Sequence, residues 1–193
     1  MEQTELTSDV QRLVENLGQL PEPAVKPFLI VVSGLPGTGK SYFCHQLVQK
    51  LPAIILESDA LRKALFPSPC YSAPESTRLF RACHQLIERL LKKGIFLIFD
   101  ATNLSEPHRE CLYSIADRLG VRLVLVRVEA PPQLVYQRLK GRGGSSEGNS
   151  DADWAVYQKM KLQVQRIRRN HYAVDTSRDI TPVIDKIVRE VRR

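Results

Sequence analysis

Apolar residues recur at helical spacing in the first segment. Leu6, Val10, Leu13, Val14 and Leu17 share one face over residues 5–17. Gly18 and the prolines at 21, 23 and 27 stop that pattern. An amphipathic helix is therefore predicted within an N-terminal extension, residues 1–26, packed on the domain that follows. From Phe28 the rhythm changes. Four near-continuous apolar runs lie at 28–32, 53–56, 95–99 and 123–128, with a weaker one at 172–174. Such runs read as strands buried on both faces of a parallel sheet.

Helical patterns separate the runs. Residues 43–51 form one. Leu79, Cys83, Leu86, Ile87, Leu90 and Leu91 form a stripe, opened by Pro74-Glu75 and closed by Lys92-Lys93-Gly94. Ser105-Glu106-Pro107 opens a helix ending at Gly120, Pro131-Pro132 opens another, and Thr181-Pro182 starts the last. Asp151-Ala152-Asp153 has the spacing of a paired carboxylate motif, but no apolar strand precedes it, so it reads as a helix N-cap. Strand alternating with helix predicts an α/β domain over residues 27–193: a doubly wound, parallel five-stranded sheet with helices on both faces. One stretch breaks the pattern. Seven of the ten residues 141–150 are Gly or Ser, flanked by Arg138, Lys140 and Arg142. It reads either as a plain linker or as an arginine-bearing lid.

Composition narrows the class. With 193 residues, 43% hydrophobic and 25% charged, the chain holds one domain with a sizeable core. No apolar run approaches the roughly 20 residues that span a bilayer. The acidic, amphipathic start is unlike a secretory signal, so a cytoplasmic protein is expected. Cysteines at 44, 70, 83 and 111 have neither C-x-x-C spacing nor a histidine at a zinc-finger offset, and read as reduced thiols. The net charge of +7 is uneven, at −3 over residues 1–26 and +6 over 159–193. A basic C-terminal part points to an anionic partner or to a solvated helix face.

The chemistry is concentrated at the ends of the strands. Gly34-Leu35-Pro36-Gly37-Thr38-Gly39-Lys40-Ser41 has the form G-x-x-x-x-G-K-S, directly after an apolar strand and before a helical pattern. Glycines let successive N–H groups turn toward phosphates, and the helix N-terminus adds partial positive charge. Lys40 would reach the β- and γ-phosphates, and Ser41 would offer a hydroxyl to Mg²⁺. Asp100, at the end of the third strand, is the candidate second Mg²⁺ ligand. Asp59 follows the second strand in Ser58-Asp59-Ala60-Leu61-Arg62. It either caps a short helix or takes the proton of an acceptor hydroxyl. Arg62, three residues on, would hold an anionic acceptor group. Arg138 and Arg142, four apart on one helix face, would stabilise a transferring phosphoryl group.

With the P-loop, Ser58-Asp59-x-x-Arg62, Asp100-Ala101-Thr102-Asn103-Leu104, Arg109 and the Arg138/Arg142 pair, the chain resembles the polynucleotide-kinase-like branch of P-loop kinases. That group includes many proteins called AAA family ATPases or predicted kinases. The resemblance covers roughly residues 28–176 and implies roles. Asp59 corresponds to the general base, and Arg62 to the contact with the acceptor's phosphate. Asp100, Thr102 and Asn103 line the acceptor side with Arg109, and Asp175-Thr176 falls where such kinases hold adenine. The sensor and arginine-finger regions of ring-forming AAA machines are not recognisable. The expected function is ATP- and Mg²⁺-dependent transfer of the γ-phosphoryl group to a hydroxyl of a small molecule. Two alternatives stand beside it: a polynucleotide 5′-hydroxyl kinase, and a regulatory or interaction module with slow ATPase activity.

Overall fold

The computed structural model describes residues 2–142 and 152–192. In chain order the elements are α1 (Glu2–Glu15), β1 (Phe28–Ser33), α2 (Lys40–Val48), β2 (Ala53–Glu57), α3 (Ser58–Leu65), α4 (Ala73–Lys92), β3 (Phe96–Asp100), α5 (Glu106–Leu119), β4 (Arg122–Glu129), α6 (Pro132–Arg142), α7 (Trp154–Lys161), β5 (Tyr172–Asp175) and α8 (Thr181–Val191). All strand pairs are parallel, in the order β2-β3-β1-β4-β5. This is the doubly wound sheet that the alternating pattern predicts.

The strand alternation sorts the core into two layers. Leu29 and Val31 join Leu97, Phe99 and Leu125 under α1, α3, α4 and α5. Phe28, Ile30 and Val32 join Ile98, Val124 and Val126 under α2 and α8. Burying both faces removes β1 from water entirely, so its apolar run needs no polar alternation. A third, smaller cluster of Val135, Leu139 and Tyr157 joins α6 and α7 to Leu35 of the glycine-rich loop.

Helix starts follow local chemistry. Ser72 accepts a hydrogen bond from the Glu75 N–H at the start of α4, and Asp153 accepts one from Val156 N–H at 2.8 Å at the start of α7. Gly120 ends α5 in the left-handed conformation at φ 61°. The extension is tied down by charge as well as packing: Arg78 of α4 donates two 2.7 Å hydrogen bonds to the buried Asp9 carboxylate of α1. No helix among the described residues is long and apolar enough to cross a membrane. Residues 143–150, most of the predicted lid, lie outside the described residues, as does the side chain of Arg142.

Candidate active site at the carboxyl ends of β1, β2 and β3

The strand register brings the site together. Val32 of β1 pairs with Asp100 of β3, and Glu57 of β2 pairs with the same Asp100. Three strand ends therefore open on one crevice, the place where open α/β sheets bind ligands. The loop after β3 is sewn to the start of the glycine-rich loop. Gly34 N–H donates to Thr102 O at 3.1 Å, Ser33 Oγ donates to the carbonyls of Thr102 and Asn103, and Asn103 Nδ2 donates to Val32 O at 2.8 Å.

Backbone demands explain two of the glycines. A Cβ on Gly34 would stand 2.4 Å from the Val128 carbonyl oxygen, so the loop can cross β4 only without a side chain. Gly39 has φ 90° and immediately precedes α2, where a side chain would also meet Thr176 at 3.1 Å. Helix α2 thus starts at Lys40 inside the motif, earlier than the apolar pattern indicates.

A pocket of about 250 Å³ runs from Gly37, Gly39, Lys40 and Ser41 across Asp100 and Thr102 to Glu57, Ser58 and Asp59. Ser41 Oγ donates to Asp100 Oδ2 at 2.7 Å, and Lys40 Nζ donates to Leu35 O at 3.1 Å. Burial pushes the Asp100 pKa up, against the lowering effect of Lys40 and the Ser41 hydroxyl. A paired hydroxyl and buried carboxylate are hard oxygen donors of the kind Mg²⁺ takes, and a cation there would relieve the desolvated charge. Asp59 stands in the first turn of α3. The cap position belongs to Glu57, so a cap at Asp59 is not what opens this helix.

Arg138 lies on the other side of the loop. Its Nη1 donates to Thr176 Oγ1 at 2.8 Å and to Gly37 O at 3.4 Å, and its Nη2 donates to Thr176 O at 3.1 Å. Thr176 Oγ1 donates in turn to Thr38 O at 2.7 Å. Arg138, Thr176 and the P-loop are thereby one unit. Asp175 forms the adjoining turn, accepting from Ser177 N–H at 2.9 Å and Oγ–H at 2.7 Å.

Three predicted acceptor residues stand elsewhere, and each is a correction. Arg62 does not face the pocket. It is buried in an ion pair with Glu75 and donates to Ser76 Oγ at 3.2 Å. Arg109 is 1% exposed and serves as a backbone clamp. It donates to Asn103 O at 2.6 Å, to the carbonyls of Gln165 and Arg166 at 3.0 and 3.1 Å, and to the Glu106 carboxylate. Asn103 is buried, its Nδ2 donating to Val32 O and its Oδ1 unpartnered, in a left-handed conformation at φ 46°. Lining residues that were missed include Glu57 and His45, whose Nε2 lies 3.8 Å from Glu57 Oε1. Glu57 was open to the same rule that found Asp100, being a carboxylate at the carboxyl end of a strand.

The fold and this crevice together define a P-loop α/β domain. The comparisons then give the family: an AAA domain family matches residues 29–167, and the chain belongs to it. The L-seryl-tRNA(Sec) kinase of Methanococcus maripaludis is 32% identical over 120 residues, which are 60% of this chain and 46% of that one. The match thus takes in less than half of that relative's length. Among solved structures, the Mycobacterium tuberculosis APS kinase CysC, in complex with AMPPNP and APS, superposes with TM-score 0.68 at 18% identity, over 87% of this chain and 99% of that one. The Chaetomium thermophilum protein Kti12, in complex with ADP-AlF3, gives TM-score 0.67 at 19% identity, over 84% and 98%. Both share the fold.

Proposed function

We propose that the protein transfers the γ-phosphoryl group of ATP to a hydroxyl of a small-molecule acceptor. The observation that carries this reading is the single pocket in which the phosphate-facing residues Lys40 and Ser41 and the first-turn carboxylate Asp59 all take part. A binding module needs the first set alone; a kinase also needs a base on the acceptor side. The similarity to an L-seryl-tRNA(Sec) kinase supports phosphotransfer as the class of reaction.

In this reading the amides of residues 34–41 and Lys40 hold the phosphates, and Arg138 braces the loop from the Thr176 side. Asp175-Thr176 adjoin the adenine. Ser41 and Asp100 would hold Mg²⁺, which supplies charge neutralisation at the phosphate oxygens when bound. Asp59 accepts the acceptor's hydroxyl proton as its oxygen bonds to the γ-phosphorus and the bond from phosphorus to the β,γ-bridging oxygen breaks, leaving ADP. Thr102 lines the acceptor's path. The protein contributes position and electrostatics, with no covalent intermediate required.

The test is Asp59→Asn, which keeps size and removes the base. ATP affinity and melting temperature should stay near wild type. Phosphoryl transfer should fall by about 10²–10⁴-fold. Transfer at the wild-type rate would remove Asp59 from the mechanism.

A second reading, an acceptor hydroxyl carried by a nucleic acid, is supported by the exposed basic residues Lys159 and Lys161 in the last turn of α7 and Arg166 and Arg168 after it. Tight, steeply salt-dependent binding of a 5′-hydroxyl oligonucleotide together with its phosphorylation would favour it over the small molecule.

A further inference from the structure

The residues that a phosphate-bearing acceptor would need are tied up elsewhere in this fold. Arg62 extends from α3, the helix that opens beside the pocket, yet its side chain is only 8% exposed. Glu75, at 7%, holds it from the first turn of α4. Glu75 is itself fixed on several sides. Its carboxylate accepts from Cys70 N–H at 2.8 Å, Tyr71 N–H at 3.2 Å and Cys70 Sγ at 3.1 Å. Tyr71, in a left-handed conformation at φ 54°, lays its ring 4.8 Å from the Arg62 guanidinium carbon. Burial would raise the Glu75 pKa, but the hydrogen bonds from Cys70, Arg62 and Tyr71 outweigh it and bring it down to about 2. The pair is therefore charged on both sides at neutral pH and has no net charge to offer a ligand.

What remains in the pocket is acidic on the acceptor side. Lys40 is the only Lys or Arg among its described lining residues, and its charge belongs to the phosphate end. The same lining carries Glu57 and Asp59, with His45 Nε2 3.8 Å from Glu57 Oε1, while Asp100 stays with Ser41. A second cavity, of about 330 Å³, lies along β2 and α3 and shares Glu57; its other lining residues, Leu17, Leu20 and Leu61 among them, include no Lys or Arg. Arg109, the other candidate for an anion, is spent on three carbonyls and Glu106. An anionic group beside the reacting hydroxyl would meet like charge, and the described lining residues offer it no Lys or Arg besides Lys40.

We propose that the acceptor is a neutral or cationic alcohol, and that Glu75 sets this specificity by drawing Arg62 out of the acceptor pocket. The proposal rests on the kinase reading above and departs from what Arg62 does in the family the sequence resembles. Glu75 is a positioning residue, acting through Arg62.

Two arms test it. In the first, wild-type protein with [γ-³²P]ATP and Mg²⁺ is given hydroxyl compounds matched in skeleton and different in charge, such as glycerol, serinol and glycerate, alongside a 5′-hydroxyl oligonucleotide. Neutral and cationic members should be phosphorylated at least about tenfold faster, in kcat/KM, than their anionic counterparts. An anionic member that reacts as fast or faster overturns the proposal and leaves the kinase reading standing. No transfer to any compound, with ATP still bound, overturns the kinase reading itself.

The second arm is the double variant Arg62→Met/Glu75→Gln, which removes both charges of the buried pair together. The acceptor KM and kcat of the best substrate from the first arm should each stay within about threefold of wild type, with ATP affinity unchanged. A rise in acceptor KM of about a hundredfold, in protein whose melting shows it folded, would return Arg62 to the acceptor and overturn the proposal. Should the double variant not fold, the charge series on the wild-type protein decides alone.

Discussion

Arg109→Met separates a structural arginine from an acceptor contact. The guanidinium joins two segments distant in sequence: Asn103 and Glu106 at the start of α5, and Gln165 and Arg166 beyond α7. Methionine keeps much of the stem and the packing but takes the guanidinium donor from the Gln165 and Arg166 carbonyls, while Asn103 O keeps the Ser33 hydroxyl. Each orphaned buried carbonyl costs about 1–3 kcal/mol, though neighbours do not add. Removing one partner of a buried ion pair costs about 3–5 kcal/mol, and because the remaining Glu106 is 21% exposed that range is the upper bound here. In a domain of this length each kcal/mol lowers the melting temperature by about 2–4 °C, so a fall of several degrees, at most about 20 °C, is expected. Circular dichroism melting and urea titration measure it, with ATP affinity and transfer rate determined on the folded fraction below the transition. Activity per folded molecule should stay within about tenfold, since Asn103 is pinned to β1 through Val32 as well. A variant that melts like wild type while losing transfer would refute the clamp and put Arg109 at the acceptor.

Other consequences are quickly checked. Lys40→Ala should abolish nucleotide-dependent transfer and weaken ATP binding while melting near wild type, because its ammonium serves the phosphates rather than the core; isothermal titration and melting read both. Acid should destabilise the protein in two stages. The folded-state pKa of His84, lowered to about 4 by burial and by neighbouring His108, makes its contribution complete above its ordinary 6.5 and lost as pH falls toward 4. Glu75, at about 2 against an ordinary 4.5, adds a loss between those values. Urea midpoints from pH 8 to 3 should therefore fall first below 6.5 and more steeply below 4.5, and Glu75→Gln should flatten the second limb.

The fold was legible because its signals are local. Runs of apolar residues located every strand to within a residue or two, and Asp153 caps α7 as its type suggests. The glycine-rich turn was legible for the same reason, since Gly34 and Gly39 act through adjacent backbone. Arg62 and Arg109 were not. Spacing on a helix says that Asp59 and Arg62 lie near one face, but not which partner reaches a long, flexible side chain first. For Arg62 that partner is Glu75, brought in by the turn at Cys70 and Tyr71. For Arg109 it is the carbonyls of Gln165 and Arg166, 56 and 57 residues away. Buried arginines are chosen by tertiary contacts, and a family motif carries only the residue type.

The charge layout gives the proposed reaction its direction. The P-loop divides the site. Toward β5, Arg138 joins Thr176 to the loop carbonyls; toward β2, Asp100, Glu57 and Asp59 gather at the strand ends. Lys40 stands between, lowering the pKa of Asp100 while donating to Leu35 O. In the proposed reaction the phosphates compete with Asp100 for that ammonium. A buried carboxylate losing its neighbouring cation is costly, and a divalent ion held by Asp100 and Ser41 offsets that cost. Nucleotide and metal would then bind with positive coupling, each raising the affinity of the other by the same factor. The acids on the β2 side make the converse contribution. In the proposed reaction Glu57 and Asp59 would repel triphosphate from the acceptor end and leave it to a hydroxyl without negative charge, which would keep the two substrates in their own halves of the pocket.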